Sequence, residues 1–213
     1  MLLSFIEGRA DLGMLVAWIV GAALAITVHE YAHARRALAA GDNTPVANGR
    51  VTLNPLAHYD PVGTTLFLFA GFGWAKPVPV NPSNFRDRRS DGLMVALWGP
   101  LSNIIMAAAF AIPLRLEVTG AYTQAVFWIV FANCVLAIFN LIPIGPLDGA
   151  HVLENLLPPK QSMKLQQFYR QHGRTVMIVA IVLLFVPPFS DVTLHLLMMP
   201  IYGLVHLLTG SPV

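Results

Sequence analysis

The sequence predicts a polytopic α-helical membrane protein with a three-span core, a small β-prone re-entrant region and a C-terminal hydrophobic hairpin. Of its 213 residues, 56% are hydrophobic and only 11% are charged, and the mean hydropathy is +0.64. A soluble domain of this length could not expose so much apolar surface without aggregating, so the lipid bilayer is the expected surrounding. The formal net charge of +2 is too small, and the bases too scattered, to indicate nucleic acid as a partner.

The core is expected over residues 1–159. It contains stretches nearly free of formal charge that predict spans at about 12–38, 92–114 and 121–141, then a broken segment and short helix at 142–157. The charge-free run 92–114 has 23 residues, which as a helix is roughly 34 Å long and sufficient to cross the hydrocarbon layer. Prolines follow the third stretch and predict the break there.

Residues 45–85 have a different composition and predict a β-prone, re-entrant region. The stretches "VANGRVTLNP" and "AKPVPVNPSNF" are rich in Pro and Asn and contain short runs of β-branched residues. These features favour edge strands and turns over helix. Between them, "PVGTTLFLFAGFGW" is apolar but too short to span, which favours a re-entrant loop.

Residues 160–213 form a C-terminal hydrophobic region with one or two further spans. Two uncharged stretches, Thr175–Ser190 and Val192–Val213, are separated by Asp191 and interrupted by prolines. They predict either two crossings or a hairpin that only dips into the bilayer, and the sequence leaves both alternatives open.

The basic residues predict the orientation of these spans. If the amino terminus is outside, eleven of the thirteen Lys and Arg fall in inside loops, and only Arg9 and Arg115 remain outside. This bias predicts a multi-pass protein of the cell membrane whose residues 41–91 face the cytoplasm. Tyr31 then lies about nine residues, or roughly 14 Å, from the end of the first helix, within the membrane near its cytoplasmic side.

The polar cluster "HEYAH" at residues 29–33 interrupts the first predicted span. His29 and His33 are four residues apart, which places both imidazoles on one helix face within reach of a single metal ion. Glu30 lies about 100° round the helix, where it can act on water instead of binding the metal. Ionisable residues inside a span are costly, so a functional role is favoured over a polar pair that hydrogen-bonds between helices.

Asp148 is the best candidate for a third metal ligand. Zinc hydrolases use three protein ligands and keep one position open. Asp148 is the only acid between Glu117 and Glu154, and it follows a proline-rich break that the predicted topology returns to the cytoplasmic side. An aspartate after a proline turn can also serve only as a helix N-cap, but its pairing with the HExxH pattern favours the ligand role.

These motifs resemble those of the site-2 protease family of intramembrane zinc metalloproteases, in a short form without a PDZ domain. The resemblance covers residues 25–157. It is carried by the following segments: "HEYAH" at 29–33, "GRVTLNPLAHYDPVGT" at 49–64, "GWAKPVPVNP" at 73–82, "GPLSN" at 99–103 and "NLIPIGPLDG" at 140–149. The resemblance implies one zinc ion per chain held by His29, His33 and Asp148, with Glu30 as the general base.

Two asparagines are candidates for contacts with the reacting peptide. Asn140 precedes the proline-rich break and is expected near Asp148, where its amide could stabilise a developing oxyanion; a simple turn role is the alternative. Asn103, in "GPLSN", is a weaker candidate for substrate binding, and helix packing is its alternative.

The predicted function is therefore a zinc-dependent intramembrane endopeptidase that cleaves transmembrane segments of membrane proteins. A site roughly 14 Å inside the bilayer reaches only peptide bonds within the membrane, so the expected substrate is a transmembrane helix locally unwound to an extended form. The β-prone segments could bind it by strand addition. The alternative is a catalytically inactive metal-binding or transporter-like membrane protein, and the oligomeric state stays open.

Overall fold

The computed structural model describes residues 8, 12–63, 65, 74–118, 120, 122–187 and 189–210, and the regular elements among them are helical. The α-helices with defined bounds are α1 (Leu12–Ala39), α2 (Thr44–Ala47), α3 (Arg88–Arg115), α4 (Thr123–Asn140), α5 (Asp148–Leu156), α6 (Pro159–Phe185) and α7 (Phe189–Thr209), with short 3-10 helices at Pro55–His58 and Pro82–Asn84. Among the described residues, four helices, α1, α3, α4 and α7, are long and apolar enough to cross a membrane. The chain is a multi-pass helical membrane protein, which agrees with the broad class that its composition predicted, whereas the division into a three-span core stays a prediction.

Helices α1, α3 and α4 pack on one another and form the centre of the described structure. Small residues on α1 permit this close packing. A Cβ added at Gly21 would lie 3.1 Å from the carbonyl oxygen of Trp128 on α4, and Ala25 is only 1% exposed. Lipid tails are as apolar as leucine, so burying apolar side chains gives little driving force for helix association in a membrane. Spanning helices are instead held together by van der Waals contact, which close backbone approach increases.

The end of α1 and the start of α3 lie at one face of the helix group, which we call the site face. Arg36, near the end of α1, forms an ion pair with Asp91 in the first turn of α3, with 2.8 Å between Nη2 and Oδ1. Asp87 caps α3 by accepting a hydrogen bond from the backbone N–H of Arg89. Helix α3 therefore runs from the site face to the opposite face, where it ends at Arg115.

Helix α4 returns the chain to the site face, where residues 141–147 break the helical path before α5 begins at Asp148. The guanidinium of Arg89, at the start of α3, donates to the carbonyl oxygen of Asn155 near the end of α5, at 2.7 Å. This contact holds α5 against the start of α3. Asp148, the first residue of α5, therefore lies close to the half of α1 that contains the two histidines.

The described part of residues 45–85 contains no strand, so the strands predicted for "VANGRVTLNP" and "AKPVPVNPSNF" are wrong. Residues 74–81 are irregular and pass beside α1. Pro77, Pro79 and Pro82 lack a backbone N–H, so this segment cannot form a continuous ladder with a neighbour. The predicted re-entrant loop lies largely outside the described residues, because positions 64 and 66–73 are not among them.

Two buried charged residues, in the turns that follow α1, hold this region together. Asp42 is fully buried and accepts hydrogen bonds from the backbone N–H of Asn81 at 2.7 Å and from the side-chain amide of Asn84 at 2.8 Å. Arg50 is 5% exposed and donates to the carbonyl oxygen of Lys76 at 3.2 Å. The segment that precedes α3 is thus fixed at both its ends by charge-assisted hydrogen bonds.

The C-terminal region contains one helix that meets the requirements for a span, α7, and one that does not, α6. Ile201 and Val205 of α7 are fully buried in an apolar cluster with Ala107 of α3 and Cys134 of α4. Arg115, at the end of α3, donates a hydrogen bond of 2.6 Å to the carbonyl oxygen of Leu207, near the end of α7. Helix α7 therefore runs parallel to α3 and ends at the opposite face.

Candidate metal centre

His29 and His33 lie one turn apart on α1 and turn their rings towards each other inside the helix group. Their ring centroids are 4.6 Å apart, and their Nε2 atoms are separated by 3.1 Å. The two residues are 4% and 8% exposed. The spacing of four residues, which the sequence displays, produces this convergence because a helix advances about 100° per residue.

Asp148 completes a triangle of donor atoms with the two histidines. Its Oδ2 lies 3.0 Å from His29 Nε2 and 3.2 Å from His33 Nε2. The local backbone explains this placement, because a Cβ added at Gly149 would lie 2.5 Å from the carbonyl oxygen of Ile142. Only glycine permits the first turn of α5 to tuck under the preceding turn, so the "LDG" sequence positions Asp148 sterically.

Two hydrogen bonds fix the tautomers of the histidines. His33 Nδ1 lies 2.8 Å from the carbonyl oxygen of Val95, which can only accept, so Nδ1 carries the proton. His29 Nδ1 lies 2.7 Å from Asn103 Oδ1. The amide nitrogen of Asn103 donates to the carbonyl oxygen of Ala25, so its Oδ1 must be the acceptor towards His29.

Both Nε2 atoms consequently direct lone pairs into the same space as the Asp148 carboxylate. Three acceptor atoms at mutual distances of 3.0–3.2 Å repel one another unless a proton or a metal cation lies among them. Two imidazole nitrogens and one carboxylate oxygen form a ligand set of the type that zinc hydrolases use. Bonds of about 2.0–2.1 Å in a tetrahedral site would separate such atoms by about 3.3 Å, close to the spacing here. The residues present therefore fit zinc.

Gly99 lets α3 approach the two histidines. A Cβ added there would overlap the ring of His33 and lie 2.8 Å from Cε1 of His29. Any larger side chain would displace the imidazoles, so a glycine is required where α3 packs against the candidate site. The sequence signal for it was the "GPLSN" segment, in which the glycine and the asparagine, Asn103, lie one turn apart on the same helix face.

Glu30 faces the irregular segment 74–81. Its Oε2 accepts a hydrogen bond of 3.1 Å from the backbone N–H of Val78. Val78 lies between Pro77 and Pro79, neither of which has an N–H to donate. Among the described residues no recorded hydrogen bond occupies Oε1 of Glu30, so one carboxylate oxygen is held and the other is left for chemistry.

The two asparagines occupy different environments. Asn103 is fully buried, and its amide nitrogen donates to Asn133 Oδ1 at 2.8 Å as well as to Ala25. Both of its N–H groups are therefore committed to protein acceptors, and the substrate contact predicted for it stays a prediction in which only its oxygen could take part. Asn140 is the last residue of α4, and its amide donates to the carbonyl oxygen of Leu136 at 3.0 Å. A second N–H of that amide is left over.

Three contributors to the site were not predictable from the sequence motifs. The carbonyl of Val95 and the N–H of Val78 are backbone groups, which leave no signal in a sequence. Asn133, in the middle of α4, is fully buried and anchors Asn103. Its signal was a polar residue in the apolar run of a predicted span, the type of position where function is to be expected.

Comparison with known proteins places this geometry in context. Residues 116–184 match Peptidase family M50. The chain is 41% identical over 182 residues to the "Putative zinc metalloprotease YwhC" of Bacillus subtilis, covering 80% of each protein. It is 29% identical over 183 residues to the "Putative zinc metalloprotease Rip2" of Mycolicibacterium smegmatis, covering 80% of this chain and 68% of that protein. No solved structure matches the chain.

Proposed function

Because the chain belongs to peptidase family M50 and is a metalloprotease, we propose that it is a zinc-dependent endopeptidase that cleaves transmembrane segments inside the bilayer. The observation that carries this proposal is the convergence of three donor atoms: His29 Nε2 and His33 Nε2, on a helix apolar enough to span, and Asp148 Oδ2 at the start of α5. The names of the relatives from Bacillus subtilis and Mycolicibacterium smegmatis include zinc, which agrees with this ligand set.

In this proposal His29, His33 and Asp148 hold one zinc ion per chain. When bound, zinc supplies a Lewis acid that lowers the pKa of water and polarises the scissile carbonyl group. Asn103 and the carbonyl of Val95 keep both imidazoles in the tautomer whose Nε2 is free to bind. In this proposal Asn103 acts as a positioning residue for His29, and its predicted contact with the substrate stays a prediction.

Glu30 is the proposed general base. Its Oε1 takes a proton from the attacking water and later delivers it to the nitrogen of the leaving amine. The hydrogen bond from Val78 to Oε2 holds the carboxylate in one orientation during both transfers. Since neither transfer requires Glu30 to bind the metal, its role is separable from that of the two histidines.

Asn140 is the proposed donor to the oxygen of the scissile carbonyl as negative charge develops there. Its position at the end of α4, immediately before the turn that carries Asp148, supports this role. The N–H that is not bonded to Leu136 is the one available for the oxyanion. Such a preorganised donor typically contributes about 3 kcal/mol to transition-state stabilisation.

The proposed substrate is a transmembrane helix that unwinds locally at the site. His29 lies ten residues before the end of α1, or roughly 15 Å of helix, which supports a depth inside the hydrocarbon layer. Residues 74–81 pass beside Glu30 without forming a helix and offer a non-helical surface for an unwound peptide. Substrate recognition along this segment is therefore expected to depend on backbone contacts more than on side-chain pockets.

The site face is proposed to be the cytoplasmic side of the cell membrane. The supporting observation is that eleven of the thirteen bases fall on that side. On a Cys134→Ala background, a cysteine at Arg88 should react with an impermeant maleimide only after the cytoplasmic face is opened. A cysteine at Glu117 should react in intact cells, and the reverse pattern would invert the proposed orientation.

The proteolytic function is tested with the purified full chain in liposomes that contain single-span proteins as candidate substrates. We expect cleavage within the transmembrane segment of at least one of them, lost on addition of a zinc chelator and restored by zinc. Cleavage only in soluble loops would contradict an intramembrane site. A protein that binds zinc stoichiometrically but cleaves no member of a broad panel would favour the metal-binding, transporter-like alternative.

A further inference from the structure

Helix α6 differs from the four candidate spans in how its polarity is distributed. Its first half, up to Arg174, is polar, and its second half, from Thr175 to Phe185, has no charged residue. The apolar half has 11 residues and is roughly 16 Å long, about half the thickness of the hydrocarbon layer. This half can enter one leaflet of a bilayer but cannot cross both.

Both ends of α6 lie towards the site face. Its start follows α5, which Arg89 fixes to the beginning of α3 at that face. Its end leads directly into α7, and α7 runs away from the site face because it finishes against Arg115. Thr193 of α7 donates to the carbonyl oxygen of Leu183 at 2.8 Å, which holds the two helices together at this turn. Helix α6 therefore starts and ends on the same side of the helix group.

The polar half of α6 presents four basic residues on one side of the helix. At about 100° per residue they fall within an arc of roughly 120°. They are Lys160, Lys164, Arg170 and Arg174, and all four are exposed. Among the described residues none of them has a recorded ion pair, and no acidic residue occurs between Glu154 and Asp191. The cationic face, as we call these four residues, is therefore not neutralised by the protein.

Another side of the same helix packs on the turn that precedes Asp148. The hydroxyl of Tyr169 donates to the carbonyl oxygen of Pro143 at 2.6 Å. A Cβ added at Gly145 would lie 3.2 Å from the ring of Tyr169. These contacts fix the rotation of α6 about its axis, so the cationic face points away from the turn at Pro143 and Gly145.

We propose that the cationic face binds the headgroups of anionic phospholipids in the leaflet at the site face. A half-polar, half-apolar helix that starts and ends on one side of a membrane lies in the interface, with its bases at headgroup level. Clustered bases next to a spanning helix attract anionic lipid, with a contribution that corresponds to about fivefold in affinity per base. Phosphodiester headgroups match both the charge and the hydrogen-bond donors of Lys and Arg. The inference concerns lipid binding alone and does not depend on the proposed catalytic function.

Hydrogen exchange of the full chain in nanodiscs tests this inference at the level of individual segments. The discs contain phosphatidylcholine alone or phosphatidylcholine with phosphatidylglycerol. We expect the amides of residues 160–174 to exchange at least about threefold more slowly in the anionic discs, because headgroup contacts hold the helix at the surface. The difference should shrink at high salt, since screening weakens exposed charge pairs.

Charge variants identify which bases are responsible. The fourfold variant with Gln at Lys160, Lys164, Arg170 and Arg174 should show the same exchange in both kinds of disc. Two pair variants should each lose part of the difference: Lys160→Gln with Lys164→Gln, and Arg170→Gln with Arg174→Gln. They test the same bases even if the fourfold variant fails to fold. A matched control, Lys76→Gln with Arg88→Gln, removes two bases outside α6 and should keep the full difference.

Three outcomes would overturn the proposal. The first is equal exchange of residues 160–174 in the two kinds of disc for the unmodified chain. The second is an equal loss of the difference in the control, which would indicate a general effect of net charge. The third is full protection by inorganic phosphate in discs of phosphatidylcholine alone, which would identify a site for a soluble anion instead of a lipid.

Discussion

The backbone N–H of Val78 donates a hydrogen bond of 3.1 Å to Oε2 of Glu30, across 48 positions of sequence. The contact joins the first spanning helix to the irregular segment that precedes α3. Prolines on both sides of Val78 make its N–H the one donor of that tripeptide. The segment that was expected to bind substrate as a strand therefore also orients the proposed general base, and the two roles are physically linked.

Replacing Glu30 with Gln should remove catalysis and leave the metal bound. The amide oxygen of Gln can still accept the hydrogen bond from Val78, so the segment should keep its place, but the side chain can no longer take a proton. We expect cleavage to fall by at least about 100-fold, with zinc content unchanged by elemental analysis. If the zinc content of this variant fell as much as its activity, Glu30 would be a metal ligand.

Replacing Asp148 with Asn should strip the metal, because a neutral amide is a poor third ligand for zinc. Glu154→Gln is the matched control, since Glu154 lies on the same short helix and pairs with the exposed His151 at 3.2 Å. Zinc content measured after dialysis should fall only in the Asp148 variant. If both variants retained full zinc content, the third ligand would have to be sought elsewhere.

Replacing Asn103 with Ala should weaken metal binding without touching a metal ligand. The change frees Nδ1 of His29 and leaves the buried amide of Asn133 without one of its partners. We expect zinc affinity, measured by competition with a chromogenic chelator, to fall by about 10–100-fold. Asn48→Ala is the control, because Asn48 is exposed and bonds only within its own turn. Equal affinity in the two variants would argue against a positioning role.

Replacing Gly99 with Ala should disrupt the site sterically. The added methyl group overlaps the ring of His33, and such overpacking typically costs about 1–3 kcal/mol. Gly203→Ala is the control, since a Cβ at Gly203 on α7 meets no atom of the described residues within 4 Å beyond the adjacent backbone of its own helix. Thermal unfolding in detergent should show a lower midpoint for the first variant only. A normal midpoint and normal zinc content for Gly99→Ala would contradict the packing described.

The attachment of residues 81–84 to α1 should weaken in acid because it depends on the Asp42 carboxylate. Burial raises the pKa of Asp42, but hydrogen bonds from Thr44, Asn81 and Asn84 outweigh burial and leave that pKa below its ordinary value. A carboxyl group with a depressed folded pKa contributes stability above its unfolded pKa of about 3.9, and this contribution is lost as pH falls through the folded value.

Unfolding midpoints of the unmodified chain and of Asp42→Asn measure this contribution. The variant should be clearly less stable near neutral pH, where Asp42 is ionised and accepts all of its hydrogen bonds. The gap should narrow below about pH 4, as the carboxyl group of the unmodified chain takes up a proton. A gap of constant size across this range would show that the charge of Asp42 does not matter.

The sequence by itself determined the class of the protein and much of the chemistry of the candidate site. Composition and the long charge-free stretches together predicted a polytopic membrane protein, since a soluble domain could not expose so much apolar surface without aggregating. The spacing of His29 and His33 is a local property of a helix, so it could be interpreted before any tertiary contact was known. Asp148 was identified because acids are scarce in that part of the chain, which made the candidate almost unique.

Only the tertiary structure decided what depends on contacts between distant segments. The strands expected in residues 45–85 are absent from the described residues, because local β propensity has no effect without a partner strand and prolines remove the donors. The partners of Asn103 were not predictable either: its two N–H groups donate to Ala25 and Asn133 and its oxygen faces His29, and α1 and α4 bring these partners to it. Backbone partners such as Val78 and Val95 leave no trace in composition or spacing. They become visible only when packing brings a peptide group to a side chain, which is why folding, and not the motif, completes the site.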